Sequence, residues 1–204
     1  FSPDHISEDI ELQALDFSSY LLEWMALVPR WRDYYLSHDQ SGTYAYLRKA
    51  MQVLTFLRGP NRWVIKCPQH MEQLPVLHET FPDATYVITH RDPVGSIRST
   101  LSMWLYASRI LRTRSDPEEP RAYWIDRYRT LLSRCVRDRD CLPEDQTIDV
   151  YFHQWIKDPD PIENTNQPGS FAHYWRVMRA RGCSAVMFFL RARGRPLPAG
   201  DSDA

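Results

Sequence analysis

Two short stretches of this sequence carry residue types suited to holding an anion. Each follows a run of β-forming residues: one is Lys66-Cys67-Pro68-Gln69-His70 and the other is His90-Arg91-Asp92-Pro93. Arg91 supplies a planar, permanently charged guanidinium that matches the oxygens of a phosphate. Ser96 and Ser99 lie three residues apart on the helix predicted to follow, so they share one face of it. The second stretch therefore predicts a phosphate-holding turn with hydroxyls beside it.

Lys66 and His70 could act on a bound substrate at the same place. Ligands of open α/β sheets bind at the carboxyl ends of the strands. Lys66 ends the first strand, so it lies on the same edge as Arg91 if the two strands are parallel and adjacent. Two cations on one edge suit a substrate with more than one anionic group. A neutral imidazole at His70, in the first turn of the next helix, could take a proton from a hydroxyl.

Both stretches also have purely structural interpretations. Arg91 could pair with a carboxylate while Asp92 only caps the helix that begins at Pro93. His70 could be a capping or surface histidine, because position alone does not distinguish such a residue from a base. The local pattern leaves these alternatives open.

Alternating strands and helices must position these residues. Short β-forming runs at residues 62–66, 84–89 and 147–152 predict three strands, and apolar residues at helical spacing predict helices at 10–28 and 43–58. Further helices are predicted from Pro68, from Pro93 and after Pro120. Strands separated by helices of this length imply an α/β fold, a parallel β-sheet flanked by helices with right-handed crossovers.

Composition limits the classes of function. The 204 residues suit one domain with a tail, divided here into an α/β domain at 1–160 and a divergent, partly disordered tail at 161–204. A net charge of −1 gives no bulk attraction to nucleic acid or to an anionic membrane. No apolar run reaches the roughly 18–20 residues of a membrane span. The four cysteines form neither a CxxC pair nor a zinc spacing, which favours reduced thiols in the cytoplasm and no metal.

The same stretches resemble the bacterial-type sulfotransferase family. The similarity lies in Lys66 to Leu74, in Phe81-Pro82-Asp83-Ala84 and in Thr89 to Val94. That family uses 3′-phosphoadenylyl sulfate and has a fold like that of P-loop kinases. The resemblance implies that Arg91 and Ser99, eight residues apart, hold the 3′-phosphate of the nucleotide. It implies that Lys66 and His70 are catalytic and that Phe152 lies near the adenine.

Several departures from the family pattern accompany the resemblance. Cys67 stands where the family motif has serine, and His153 and Gln154 replace an acidic pair expected after the third strand. The loop that holds the 5′-phosphosulfate is not found, so the fold is expected to be incomplete and the chain truncated before Phe1. Residues 161–204 resemble no part of the family.

Three hypotheses about function follow. The first is transfer of a sulfuryl group to a hydroxyl or amine of a small-molecule acceptor. The second is an inactive protein of the same fold that binds adenosine 3′,5′-bisphosphate. A P-loop nucleotide kinase is disfavoured because no G-x-x-x-x-G-K-[ST] loop occurs. An aromatic set near the start of the chain could border an apolar acceptor pocket or simply form core: Trp24, Trp31, Tyr34 and Tyr35.

Overall fold

The computed structural model describes residues 8–59, 63–111, 116, 118–155 and 186–190. Eight α-helices occur in these ranges: α1 (Ile10–Ala14), α2 (Leu21–Met25), α3 (Pro29–Ser37), α4 (Ser41–Arg58), α5 (Leu74–Thr80), α6 (Pro93–Leu111), α7 (Glu119–Asp138) and α8 (Phe152–Trp155). Four strands occur with them: β1 (Trp63–Cys67), β2 (Thr85–His90), β3 (Thr147–Tyr151) and β4 (Val186–Leu190). Short 3-10 segments lie at Pro68–Glu72, Arg139–Cys141 and Glu144–Gln146.

The four strands form one sheet in the order β1-β4-β2-β3. β2 and β3 pair in parallel, whereas β4 runs antiparallel to both of its neighbours. β1 and β2 therefore run in the same direction, and their carboxyl ends lie on the same edge of the sheet. Tyr86, Val87 and Ile88 of β2 are all buried, which is typical of a strand covered on both faces. The predicted α/β sheet flanked by helices is confirmed.

Of the two conditions for placing Lys66 beside Arg91, the parallel direction of β1 and β2 is met, whereas their adjacency is not, because β4 lies between them. β4 lies in residues 161–204, for which the sequence pattern predicts no strand. Five apolar residues do not reveal their pairing partners, since a buried strand and a short core segment look alike in sequence. The division of the chain at residue 160 stays a prediction, but the sheet takes one strand from beyond it.

The single helix predicted for residues 10–28 is also wrong. The chain forms α1 and α2 with a turn between them, where Phe17 has a left-handed φ of 55°. Ser19 holds this turn: its hydroxyl donates to the Ile10 carbonyl at 2.7 Å and accepts from the Leu21 N–H at 3.1 Å. Hydroxyls that bind nearby backbone in this way compete with helix formation. Pro29 begins α3, where proline is favoured because its missing N–H has no partner in the first turn of a helix.

Two apolar clusters form the core in the part of the chain that the structure describes. The larger one lies where α4, α5 and α7 meet the sheet, and it includes Tyr44, Leu47, Leu74, Leu77 and Ile88. The smaller one joins α2, α6 and α7 and contains Ile10, Tyr20, Cys67, Trp104 and Trp124. The second cluster includes Cys67, the last residue of β1, and two of its members, Tyr20 and Trp24, also line the cavity described below.

Candidate active site

A cavity of about 270 Å³ lies beside the carboxyl ends of β1 and β2. Pro68 and Met71, which follow β1, line one part of it, and Arg91, which follows β2, lines another. Ser96 and Ser99 of α6 also face it. The structure thus brings together Arg91 and both serines on one cavity, as their spacing predicted.

The guanidinium of Arg91 has a donor atom that could bind an anion. Its Nη1 atom is buried and has no hydrogen-bond partner within the described parts of the chain. Its Cζ atom lies 5.0 Å from the ring centroid of Phe152 at the start of α8. A buried donor left unsatisfied costs roughly 1–3 kcal/mol. No ion pair between Arg91 and a carboxylate is seen among the described residues, so the alternative that Arg91 only pairs with a carboxylate is not supported.

The N-terminus of α6 is capped by Asp92. The carboxylate accepts the backbone N–H groups of Val94 at 3.2 Å and Gly95 at 2.9 Å. The Ser96 hydroxyl donates to the Asp92 carbonyl at 3.1 Å. Asp92 thus has the capping role that the sequence suggested, and it fixes the direction in which α6 leaves Arg91. Ser99 is exposed one turn further on.

Lys66 is almost fully buried and forms an ion pair with Glu8. Glu8 precedes α1, and its side chain is 30% exposed, so the carboxylate covers the ammonium group from the solvent side. Lys66 does not line the cavity itself. An anionic substrate would therefore have to compete with Glu8 for this cation.

His70 is fully buried in the 3-10 segment that follows β1. Its Nδ1 atom lies 2.8 Å from the Tyr44 hydroxyl, and its Nε2 atom lies 3.0 Å from the Asp9 carboxylate. Gln13 donates to the same Asp9 oxygen at 2.7 Å. Both ring nitrogens thus face groups of the protein, so a role as base requires the ring to be released from one of them. The interpretation of His70 as a surface residue is wrong.

Cys67, which stands in the place of the family's serine, is buried and unpaired. Burial raises the pKa of its thiol, and the carboxylates of Asp9 and Glu8 act in the same direction. The thiol therefore stays protonated near neutral pH, which argues against a nucleophilic cysteine.

A buried ionic cluster, here called the Arg127 clamp, was missed in the sequence. Arg127 of α7 donates from Nη1 and Nη2 to Glu72 at 2.6 Å each, and from Nε to Glu23 of α2 at 2.8 Å. Tyr123 donates to the other Glu23 oxygen at 2.6 Å. A signal was present: Arg127 falls on the apolar face of α7 between Trp124 and Leu131. A charged residue at such a position usually has a buried partner.

The rest of the cavity wall is apolar and aromatic. Tyr20 and Trp24 contribute from α2, and their rings meet edge to face with centroids 6.2 Å apart. Of the four early aromatic residues, Trp24 lines the cavity, whereas Tyr35 is buried and stacks on Trp31 at 5.2 Å. Tyr34 is exposed and stacks on His38. Of these four residues, Trp24 is the one that could still border an acceptor pocket, because it lines the cavity.

No group of three or more histidine, cysteine, aspartate or glutamate side chains in the described ranges has an arrangement that could hold a metal ion. None of the helices described above is both long and apolar enough to cross a bilayer.

Comparison with known proteins gives two matches. A family model described as "Sulfotransferase family" matches residues 1–162. Among solved structures, the crystal structure of sulfotransferase STF9 from Mycobacterium avium matches with a TM-score of 0.68 and 22% sequence identity. That match covers 86% of this chain and 47% of the mycobacterial one, so this chain spans about half the length of that protein. At this identity the likeness shows the fold. A search of curated proteins found no match.

Proposed function

Because the chain belongs to the sulfotransferase family, we propose that it transfers a sulfuryl group from 3′-phosphoadenylyl sulfate to a hydroxyl or amine of a small-molecule acceptor. The match over residues 1–162 confirms the family resemblance, and the structural likeness confirms the fold. The proposal covers the identity of the donor and of the acceptor and the residues that bind each of them. It also includes a cytoplasmic location.

The observation that carries the proposal is the buried Nη1 atom of Arg91, which has no hydrogen-bond partner among the described residues. A buried N–H donor without a partner is costly in the free protein, and a doubly charged phosphate would remove that cost. Ser99 lies on the same cavity and could donate its hydroxyl to the same group. We therefore assign the nucleotide's 3′-phosphate to Arg91 and Ser99, with Phe152 next to them for the adenine.

The remaining roles concern the transfer itself. Sulfuryl transfer resembles phosphoryl transfer, in which positioning and charge stabilisation contribute more than covalent catalysis. Lys66 would exchange Glu8 for an oxygen of the donor and neutralise charge near the bridging oxygen. His70 would take the acceptor's proton once its ring leaves Asp9 or Tyr44. No step in this scheme calls for a metal.

Binding of adenosine 3′,5′-bisphosphate tests the assignment of Arg91. At a hundredfold excess over Kd, a ligand that binds only the folded protein stabilises it by about 2.7 kcal/mol, which raises Tm by roughly 5–10 °C. We expect Arg91→Ala to weaken binding by roughly tenfold to hundredfold, because a charge-assisted hydrogen bond contributes about 1.5–3 kcal/mol. Thermal unfolding with and without ligand measures both quantities.

The control variant is Arg98→Ala, because Arg98 is an exposed arginine of α6 that does not line the cavity. Arg98→Ala should leave the ligand-induced shift unchanged. Without ligand, Arg91→Ala should be as stable as the wild type or slightly more stable, because it removes an unsatisfied buried donor. An Arg91→Ala protein that binds the bisphosphate normally would remove Arg91 from the site.

The internal contacts of Lys66 and His70 favour a second candidate, an inactive protein that binds the nucleotide without transfer. Both candidate catalytic groups face carboxylates of the protein, from Glu8 and Asp9 respectively. An assay of labelled sulfuryl transfer with the complete gene product separates the two functions. Turnover above the uncatalysed rate supports the enzyme, whereas bisphosphate binding without turnover supports the inactive binder.

A further inference from the structure

We propose that the outer edge of β3 binds an extended peptide of another protein. The peptide adds to the sheet as a further strand and places basic side chains over an acidic cleft beside β3. Such binding is independent of sulfuryl transfer. Two separate features support it: a strand edge that no described strand covers, and the charges of the cleft next to that edge.

β3 is an exposed edge of the sheet. In the order β1-β4-β2-β3 it pairs with β2 on one side, and no described strand lies on its other side. None of the five residues of β3 is buried, whereas four of the six residues of β2 are. A strand edge of this kind carries backbone N–H and C=O groups that can pair with another chain. The backbone of β3 can therefore bind an extended peptide.

The opposite edge of the sheet differs in this respect. β1 ends the sheet on that side, but Ile65, Lys66 and Cys67 are all buried. Other parts of the chain thus cover the second half of β1 and leave little access for an incoming strand. Of the two edge strands that the structure describes, β3 is the accessible one.

A cleft of about 470 Å³ lies against β3 and the end of α7. Asp149 and Tyr151 line it from β3, and Ile88 and His90 line it from β2. Residues two apart in a strand lie on the same face of the sheet, so the cleft occupies one face of this edge. An added strand would lie about 4.8 Å beyond β3, and the side chains on that face would lie beside the cleft.

The charges of the cleft favour a basic partner. Three carboxylates line it, from Asp140, Glu144 and Asp149, together with one guanidinium from Arg139. The Asp149 carboxylate accepts from Arg139 Nη2 at 2.9 Å and lies 2.7 Å from His90 Nε2. Asp140 and Glu144 are exposed and form no ion pair within the described parts of the chain. An arginine or lysine of the partner would supply a cation for these two carboxylates.

The same strand is poorly suited to pairing with a second copy of itself. Two β3 strands paired antiparallel about Asp149 would bring the two Asp149 carboxylates opposite each other, and like charges in that position are destabilising. Because β3 spans five residues, shifting the register by two residues leaves three pairs. A basic peptide avoids both problems, so we assign the edge to a different chain.

The two faces of β3 set the pattern of the partner. Asp149 and Tyr151 face the acidic cleft, so by alternation Ile148 and Val150 face the other side of the sheet. Ile148 is 53% exposed there. Side chains on one face of neighbouring strands lie side by side. The partner should therefore alternate basic residues on the cleft side with β-branched apolar residues on the other.

A short peptide, Thr-Arg-Val-Arg-Val-Arg-Thr, capped at both ends and labelled with a fluorophore, tests the proposal. Fluorescence anisotropy with the whole chain should show binding that weakens as salt is added, because solvent-exposed charges contribute to it. The same peptide with glutamate in place of arginine should not bind. A peptide with proline in place of valine keeps the charge but cannot add as a strand, and it should bind at least about tenfold more weakly.

Two variants of the protein remove the carboxylates that lack an internal partner among the described residues. Asp140→Asn and Glu144→Gln should each weaken binding of the basic peptide roughly twofold to fivefold, the value of an exposed charge pair. Asp145→Asn is the matched control, because Asp145 is exposed, lies next to Glu144 in the same 3-10 segment and does not line the cleft. It should leave binding unchanged.

Hydrogen exchange locates the bound peptide. Addition of the basic peptide should slow exchange of backbone amides in residues 147–151, because an added strand protects the edge that it pairs with. Binding without added protection in this range would show that the peptide lies elsewhere and would overturn the proposal.

Other results would also overturn it. These are a basic peptide that does not bind, a glutamate or proline peptide that binds equally well, and cleft variants that bind like Asp145→Asn. Light scattering identifies the alternative occupant: a protein that is dimeric and does not bind the peptide would assign the edge to a second copy instead.

Discussion

Arg127 lies fully buried between two carboxylates, which leaves the clamp with one positive and two negative charges. Burial is the main cause that raises the pKa of Glu23, and Arg127 and the Tyr123 hydroxyl act against it. Removing charges from water is costly, so a cluster of this kind contributes little net stability while intact. Its value lies in joining α2, α7 and the segment after β1 in one arrangement.

Removing the buried Arg127 should lower the free energy of unfolding far more than removing an exposed arginine. Arg127→Met leaves two buried carboxylates without their partner, which we expect to cost about 3–5 kcal/mol of unfolding free energy. The cost should be larger at pH 8 than at pH 5.5. A carboxyl whose folded-state pKa is raised contributes stability that is present at low pH and lost as the pH rises through that pKa. Urea unfolding at the two pH values measures this.

The exposed pair of Arg121 in α7 and Glu118, the residue just before that helix, provides the comparison. Arg121→Met should cost less than about 0.5 kcal/mol, because solvent screens the pair. Adding Glu23→Gln and Glu72→Gln to Arg127→Met should recover much of the lost stability. A cost for Arg127→Met that matches Arg121→Met, or that does not change with pH, would refute the buried-charge explanation.

At the scale of the element, α6 connects the sheet edge to the cavity. It begins at Pro93 directly after the capping residue, and it carries Ser96 and Ser99 on the cavity side. The direction of the helix therefore decides where both hydroxyls lie relative to Arg91. Asp92 controls that direction through two backbone hydrogen bonds.

We predict that Asp92→Ala lowers stability by about 1 kcal/mol, the usual value of an N-cap side chain. For a chain of this size the change corresponds to a fall in Tm of roughly 2–4 °C. Asp92→Asn should retain most of the stability, because the amide oxygen can still accept an N–H. Thermal unfolding distinguishes the two variants, and equal melting of Asp92→Ala and the wild type would exclude a cap at this position.

At the scale of the whole molecule, the sheet depends on a strand that lies far along the chain. β4 pairs with β1 on one side and with β2 on the other, so both of its backbone edges are used. Without it, β1 would lose the strand that joins it to β2 and β3. The sheet edge that carries Lys66 and Arg91 is thus assembled through residues 186–190.

Proline at the centre of β4 should disrupt this assembly. Residue 188 pairs with Ile65 in β1 and with Tyr86 in β2. Phe188→Pro removes an N–H from the interior of the sheet, and we expect a loss of at least about 3 kcal/mol or of cooperative unfolding altogether. Phe188→Ile keeps a β-forming residue and should unfold cooperatively. Chemical unfolding of both variants decides whether β4 is an interior strand, because equal stabilities would contradict that position.

The sequence by itself determined the elements whose causes are local. Apolar spacing indicated α4, α6 and α7, and β-forming runs indicated β1, β2 and β3. Asp92 before Pro93 indicated the start of α6, and Arg91 with nearby hydroxyls on α6 predicts an anion site at the end of β2, which stays a prediction. Each of these inferences uses residues within a few turns or one strand of each other, and the structure brings Arg91, Ser96 and Ser99 to one cavity.

Only the tertiary structure decided the contacts between distant residues. The insertion of β4 between β1 and β2 depends on backbone pairing across more than 90 positions, which no local pattern encodes. The same holds for the pairs that Lys66 and His70 form with Glu8 and Asp9, and for the Arg127 clamp. Such contacts are set by which surfaces the folded chain must bury together, because an unpartnered buried charge or an unpaired strand edge is costly.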